Sequence, residues 1–124
     1  MNSPIKNKIN TVFIPVTNLE RSAAWYSRLL GQEYKENQAK RPVFNVKMSE
    51  YTGLTLDAGA EDNPNSPAPS EYPIFNFHTD SIGNARQYIK EMGYEGDMEI
   101  VKFDDFSFFT VKDPDGNIIM ICSG

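Results

Sequence analysis

The chain predicts an α+β fold: a strand, an amphipathic helix and further strands, read once in each half of its 124 residues. Three observations predict it. An alternating apolar stretch precedes a helical one at residues 9–30 and again at 74–92. Each helical stretch stops at a glycine, Gly31 and Gly93, and a Pro-rich polar segment separates the halves. Two βαβββ modules would leave such a repeat, whereas a single open α+β sandwich would use the same elements without it.

Residues 9–16 alternate as a strand, with Val12, Ile14 and Val16 on one face and Thr11 and Phe13 on the other. Asn18 is a suitable N-cap for a helix in which Leu19, Ser22, Ala23, Tyr26, Leu29 and Leu30 share one side. Val43 to Met48 and Leu54 to Leu56 read as strands joined by a turn around Glu50 to Gly53. Residues 58–72 carry Gly59, Pro64, Pro67 and Pro69 among polar and acidic side chains, which suits neither a helix nor a central strand. This segment reads as a connector, favoured over a lid. Beyond it, Ile74 to His78 is a strand, Ile82 to Met92 a helix, and Glu99 to Phe103, Phe106 to Lys112 and Asn117 to Cys122 are strands. The length fits one domain, 1–124, with module one at about 8–57, a linker at about 58–72 and module two at about 73–124.

Twelve Lys and Arg against seventeen Asp and Glu give a formal net charge of −5 without a basic run, which argues against a nucleic-acid partner. An acidic surface concentrated at a cleft favours a cationic ligand. No apolar stretch approaches the roughly 20 residues that span a bilayer, and the first residues carry no apolar signal core, so a cytoplasmic protein without membrane association is expected. Cys122, the one cysteine, excludes an internal disulfide and a multi-cysteine zinc site; in an apolar strand it reads as a buried structural thiol.

The segment Asp113-Pro114-Asp115-Gly116-Asn117, running into Ile118-Ile119-Met120, resembles the closing hairpin of the glyoxalase/bleomycin-resistance/extradiol-dioxygenase superfamily, the vicinal oxygen chelate proteins. Ile14-Pro15-Val16-Thr17-Asn18-Leu19-Glu20-Arg21-Ser22, with Trp25-Tyr26 and Leu29-Leu30-Gly31, resembles that family's first strand and helix. Phe75-Asn76-Phe77-His78-Thr79-Asp80-Ser81-Ile82, with Met92-Gly93-Tyr94, resembles the start of its second module. The resemblance covers nearly the whole chain and implies two βαβββ modules, each curling its sheet into an incomplete barrel whose concave face holds the ligand. It also implies a homodimer.

In the family four strand positions bind a divalent metal. The register carried over from Asn18, Phe77 and the closing turn places them at Thr11, Thr55, Ile74 and Met120, none of which is a His or a carboxylate. Ions of this class need about four to six oxygen or nitrogen donors, so no metal and no cofactor are expected. The expected ligand cleft consists of Thr11, Phe13, Thr55, Ile74, Asn76, His78, Phe108 and Met120, with no catalytic residue assigned. His78 has two readings, a hydrogen-bonding or proton-transferring group and a strand-end side chain satisfied near Asp80; the second is preferred because no partner nucleophile or acid is evident. Aromatics cluster at Phe75, Phe77, Phe103, Phe106, Phe108 and Phe109, and alternation separates Phe108 and Thr110 from Phe109 and Val111. Aromatic walls stack flat or cationic organic molecules. Trp25 and Tyr26 read as packing residues, and Asp104 and Asp105 as a solvated turn.

The leading expectation is a metal-free protein that binds a small organic ligand, aromatic or cationic, for antibiotic or metabolite sequestration. The alternative is a metal-dependent glyoxalase-type lyase or dioxygenase using non-standard ligands. A third reading is a structural or regulatory partner whose cavity is vestigial and filled by Phe13, Ile74, Phe108 and Met120.

Overall fold

The computed structural model describes all residues except Glu50, Ser66 and Pro67, so the expected turn at Glu50 and the linker's Pro67 lie outside the described residues. The chain forms two compact units, Met1–Ala23 with Tyr34–Pro67, and Ala24–Glu33 with Ala68–Gly124. The boundary falls inside the first helix, so the second unit includes that helix's C-terminal half.

The first unit holds β1 (Thr11–Pro15), the start of α1 (Leu19–Leu29), β2 (Val43–Val46) and β3 (Gly53–Asp57). The sheet order is β1-β3-β2. β1 runs parallel to β3, pairing Phe13 with Thr55, and β2 runs antiparallel to it, pairing Asn45 with Thr55. Alternation sorts the side chains: Ile14, Val16, Val46, Leu54 and Leu56 are buried, while Phe13 is exposed on the opposite face. The Asn18 Oδ1 accepts from the Arg21 amide at 3.0 Å, the capping bond its residue type predicts.

The third strand after α1 is reduced to a single bridge between Lys40 and Val43. Glu20 organises the preceding segment instead. Its carboxylate accepts from the Tyr34 hydroxyl and, at 2.9 Å, from the Asn37 amide, and these bonds lower the Glu20 pKa. Asn37 takes a positive φ of 65°, which breaks any extended run there.

The connector carries a minimal hairpin, β4 (Gly59–Ala60) against β5 (Asn63–Pro64), that its composition did not suggest. Gly59 permits it, with φ of 74° and room for no Cβ, since one would lie 2.8 Å from the Asn63 carbonyl oxygen. Arg41 fixes its base, donating to the Ala58 and Gly59 carbonyls at 2.7 and 3.0 Å and to the Thr17 carbonyl at 2.9 Å.

The second unit contains β6 (Asn76–His78), α2 (Ile82–Glu91), β7 (Val101–Lys102), β8 (Ser107–Lys112) and β9 (Ile118–Cys122), in the sheet order β6-β9-β8-β7. Both sheets are mixed, because the strand before each helix pairs in parallel with the last strand of its module. Phe77, Phe109, Val111, Ile119 and Ile121 form the buried face, and Ile89 of α2 is buried with them. Each such side chain contributes about 1.5–3 kcal/mol by leaving water. Ser81 caps α2, its hydroxyl accepting from the Asn84 amide at 3.3 Å. Two strands are shorter than their sequence suggests. Pro73, which lacks an amide hydrogen, precedes Ile74 and β6 begins only at Asn76; β7 keeps two of five expected residues at the sheet edge. No helix among the described residues is long and apolar enough to cross a membrane.

Asp113 closes β8 onto β9. Its carboxylate is only 5% exposed and accepts from four donors: the Asp115 and Asn117 amides at 2.9 and 2.8 Å, the Asn117 side-chain amide at 2.9 Å, and the Tyr26 hydroxyl at 2.6 Å. A buried carboxylate costs several kcal/mol unless it is satisfied in this way. Gly116 completes the turn at a φ of 87°.

Burial, and after it the Asp113 charge, raises the Tyr26 pKa above that of an ordinary phenol. The contribution of neutral Tyr26 is therefore fully present below about pH 10, the pKa of an unfolded tyrosine, and is lost as the pH rises from there toward the folded value. Tyr26→Phe should cost about 1–3 kcal/mol in urea unfolding at pH 7 and flatten the loss of stability above pH 10. Unchanged stability at both pH values would contradict the role given to this bond.

Candidate functional site

In the sheet of each unit one face carries the buried apolar side chains, and those expected ligand residues that lie in strands alternate to the other face. In the first unit Thr11, Phe13 and Thr55 alternate away from Ile14, Leu54 and Leu56. Phe13 is 64% exposed. Thr55 is buried, and its hydroxyl donates to the Asn45 Oδ1 at 2.7 Å, which makes Asn45 a member of this face that the sequence reading did not name. The signal for it was the β2 alternation, in which Asn45 points away from the half-buried Phe44 and the buried Val46.

In the second unit Asn76 pairs with Met120 and Thr110 pairs with Met120 across the ladder, while His78 and Phe108 both flank Cys122. These side chains share the face opposite Phe77, Phe109 and Ile121. The Asn76 amide lies 3.8 Å from the Met120 sulfur, a weak donor contact. Ile74 precedes β6 and is 72% exposed.

The two registers match in their internal spacing. Thr11 stands two residues before the partner of Thr55, and Ile74 two residues before the partner of Met120. The positions to which the sequence resemblance assigns metal ligands offer two hydroxyls in the first sheet, Thr11 and Thr55, and in the second unit an aliphatic chain and a thioether, Ile74 and Met120. That donor set does not fit a zinc, nickel, manganese or iron ion. Thr55 is moreover committed to Asn45, so its hydroxyl proton is already placed.

His78 is exposed, and its Nε2 is 2.8 Å from the Asp80 carboxylate. That hydrogen bond is the first cause of a raised imidazole pKa, which favours the protonated ring.

Three rings stand on the β7–β8 side of this open face. Phe103 stacks on Phe106 with centroids 4.9 Å apart and on Phe108 at 6.2 Å, and the planes diverge by only 27° and 15°. Phe103 and Phe106 were grouped with the aromatics by sequence but not with the cleft. Carrying the strand alternation across the two-residue turn at Asp104 and Asp105 puts them in phase with Phe108, and the bond from the Phe103 amide to the Phe106 carbonyl at 2.8 Å closes that turn. On the helix-covered side a half-open pocket of about 150 Å³ lies among Leu29, Leu30, Phe77, Tyr88, Ile89 and Ile121. Its lining is mostly apolar, and His78, at the end of β6, and Thr79 also reach it.

With this geometry in place, the family assignment follows from comparison. Residues 8–121 match the family model described as the Glyoxalase/Bleomycin resistance protein/Dioxygenase superfamily, and the chain belongs to that superfamily. Its fold is similar to a lactoylglutathione lyase from Agrobacterium tumefaciens, with 15% identity, a TM-score of 0.70 and coverage of 97% of this chain and 96% of that one. It is also similar to a glyoxalase/bleomycin resistance protein from Catenulispora acidiphila, at 18% identity, TM-score 0.65, and 94% and 99% coverage. An integron cassette protein from the mobile metagenome of V. cholerae matches at 14% identity, TM-score 0.67, and 99% and 98% coverage. At these identities the likeness is one of fold. No curated protein matches the chain.

The donor chemistry yields a direct expectation. Elemental analysis of protein dialysed without chelator should find no stoichiometric zinc, nickel, manganese or iron. An equimolar metal lost on Thr11→Ala would place a centre where these side chains argue against one.

Proposed function

We propose that this chain is a metal-free, cytosolic binding protein for a small organic molecule, sequestering an antibiotic or a metabolite and acting as a homodimer. The observation that carries the reading is the open face of the second sheet. It presents Asn76, His78, Phe108 and Met120 on paired strands while the family's metal-binding position holds a thioether. Aromatic and thioether surface, with an amide and an imidazole as hydrogen-bonding groups, is the composition of a ligand-binding wall. Thr11, Phe13 and Thr55 provide a comparable surface on the first sheet. A lyase or dioxygenase reading needs metal donors that Thr11, Thr55, Ile74 and Met120 do not supply.

Exposure of Phe13 and Ile74 argues against a cavity filled by its own side chains and supports association of two copies. Light scattering at micromolar concentrations should report twice the 14.0 kDa chain mass, and a constant monomer mass would remove the dimer from the proposal.

Calorimetric titration of a panel of aromatic and cationic metabolites and antibiotics tests the binding face. Phe108→Ala should weaken the bound member by about 1–3 kcal/mol while leaving the fold intact. The core truncation Phe77→Ala should instead cost about 3–5 kcal/mol of stability. Binding unchanged in both Phe108→Ala and Met120→Ala would move the site off this face.

A further inference from the structure

We infer that the β7–β8 hairpin is the specificity element of this face, and that it selects a planar organic cation. The inference rests on the binding reading above and narrows its ligand class. Phe103, Phe106 and Phe108 form a near-parallel stack, with centroid separations of 4.9, 6.2 and 6.4 Å and interplanar angles of 15° to 27°. Phe103 is 55% exposed, and Phe106 and Phe108 are partly exposed, so the stack keeps ring surface open to a ligand. Rings in this orientation add a further flat ring without first reorganising.

The turn joining two of these rings is Asp104-Asp105, and both residues are exposed. Neither forms an ion pair among the described residues. Two free carboxylates beside aromatic faces make a site of negative potential, since the ring faces carry the same sign as the acids. His78 is paired with Asp80, and Lys102 alternates to the other face of β7. A flat cation meets both parts of the site: its π surface stacks and its charge meets the carboxylates. A flat neutral molecule meets only the first, and a flat anion is repelled by the second.

Three acridines of matched shape test this on the full chain: the cation 9-aminoacridine, neutral acridone and the anion acridine-9-carboxylate. Fluorescence titration at low salt should give the order cation, neutral, anion. The double variant Asp104→Asn/Asp105→Asn should weaken the cation about tenfold and leave acridone unchanged, and added salt should act in the same direction. Phe106→Ala should weaken the cation and acridone alike. Thermal melts of each variant show that the fold is retained.

If all three probes bind equally and the double variant has no effect, the cation preference is overturned while the binding reading stands. If none binds and Phe108→Ala leaves every panel ligand unaffected, both fall. If Phe106→Ala instead abolishes a concentration-dependent dimer, the stack is an interface between copies and the inference is wrong.

Discussion

The Asp113 carboxylate is the constraint on which the architecture of the second module depends. A buried anion is tolerated only where its lone pairs are filled, and here the donors come from the turn's own backbone, from Asn117 and from Tyr26 on α1. Satisfying Asp113 therefore sets the β8–β9 connection and ties the C-terminal half of α1 to it. The ladder follows from that connection, with Phe109 opposite Ile121 on the core face and Phe108 opposite the buried Cys122 on the other face. A slip of one residue would exchange the two faces, sending Phe109 and Val111 to solvent and Phe108 and Thr110 to the core. The open face is thus a consequence of the closing turn.

Much of this was legible in the chain. Alternation gave the inner and outer sides of β1, β8 and β9, and Asn18 and the Gly31 and Gly93 stops gave the helices, because each signal is local and has a direct backbone cause. What was missed depended on tertiary partners. The segment around Asn37 reads as ordinary polar sequence, and only its bond to Glu20, 17 residues earlier, explains why it is not a full strand. The Gly59–Pro64 hairpin hid in a composition typical of connectors, held by Arg41 from outside the segment. Asn45 and the pair Phe103 and Phe106 escaped the candidate site for a related reason. Residue type marked them as polar or aromatic, but their place on a face required strand partners or a closed turn.

The superfamily shares a scaffold across different activities, so function is set by what stands at the site. In this chain two of the positions that the resemblance aligns with metal ligands make contacts of their own. Thr55 is bonded to Asn45, and Met120 lies beside Asn76. Side chains that contact their neighbours in this way support the binding function proposed above. The acidic balance of the chain, −5, adds attraction for cations at low ionic strength.

The most direct measurement is native mass spectrometry of the full chain after incubation with a small-molecule extract of the producing cells and removal of unbound material. The account predicts a retained organic molecule, no divalent metal, and loss of that molecule in Phe108→Ala. A chain carrying one divalent metal and no organic molecule, or the bare chain mass alone, would contradict it.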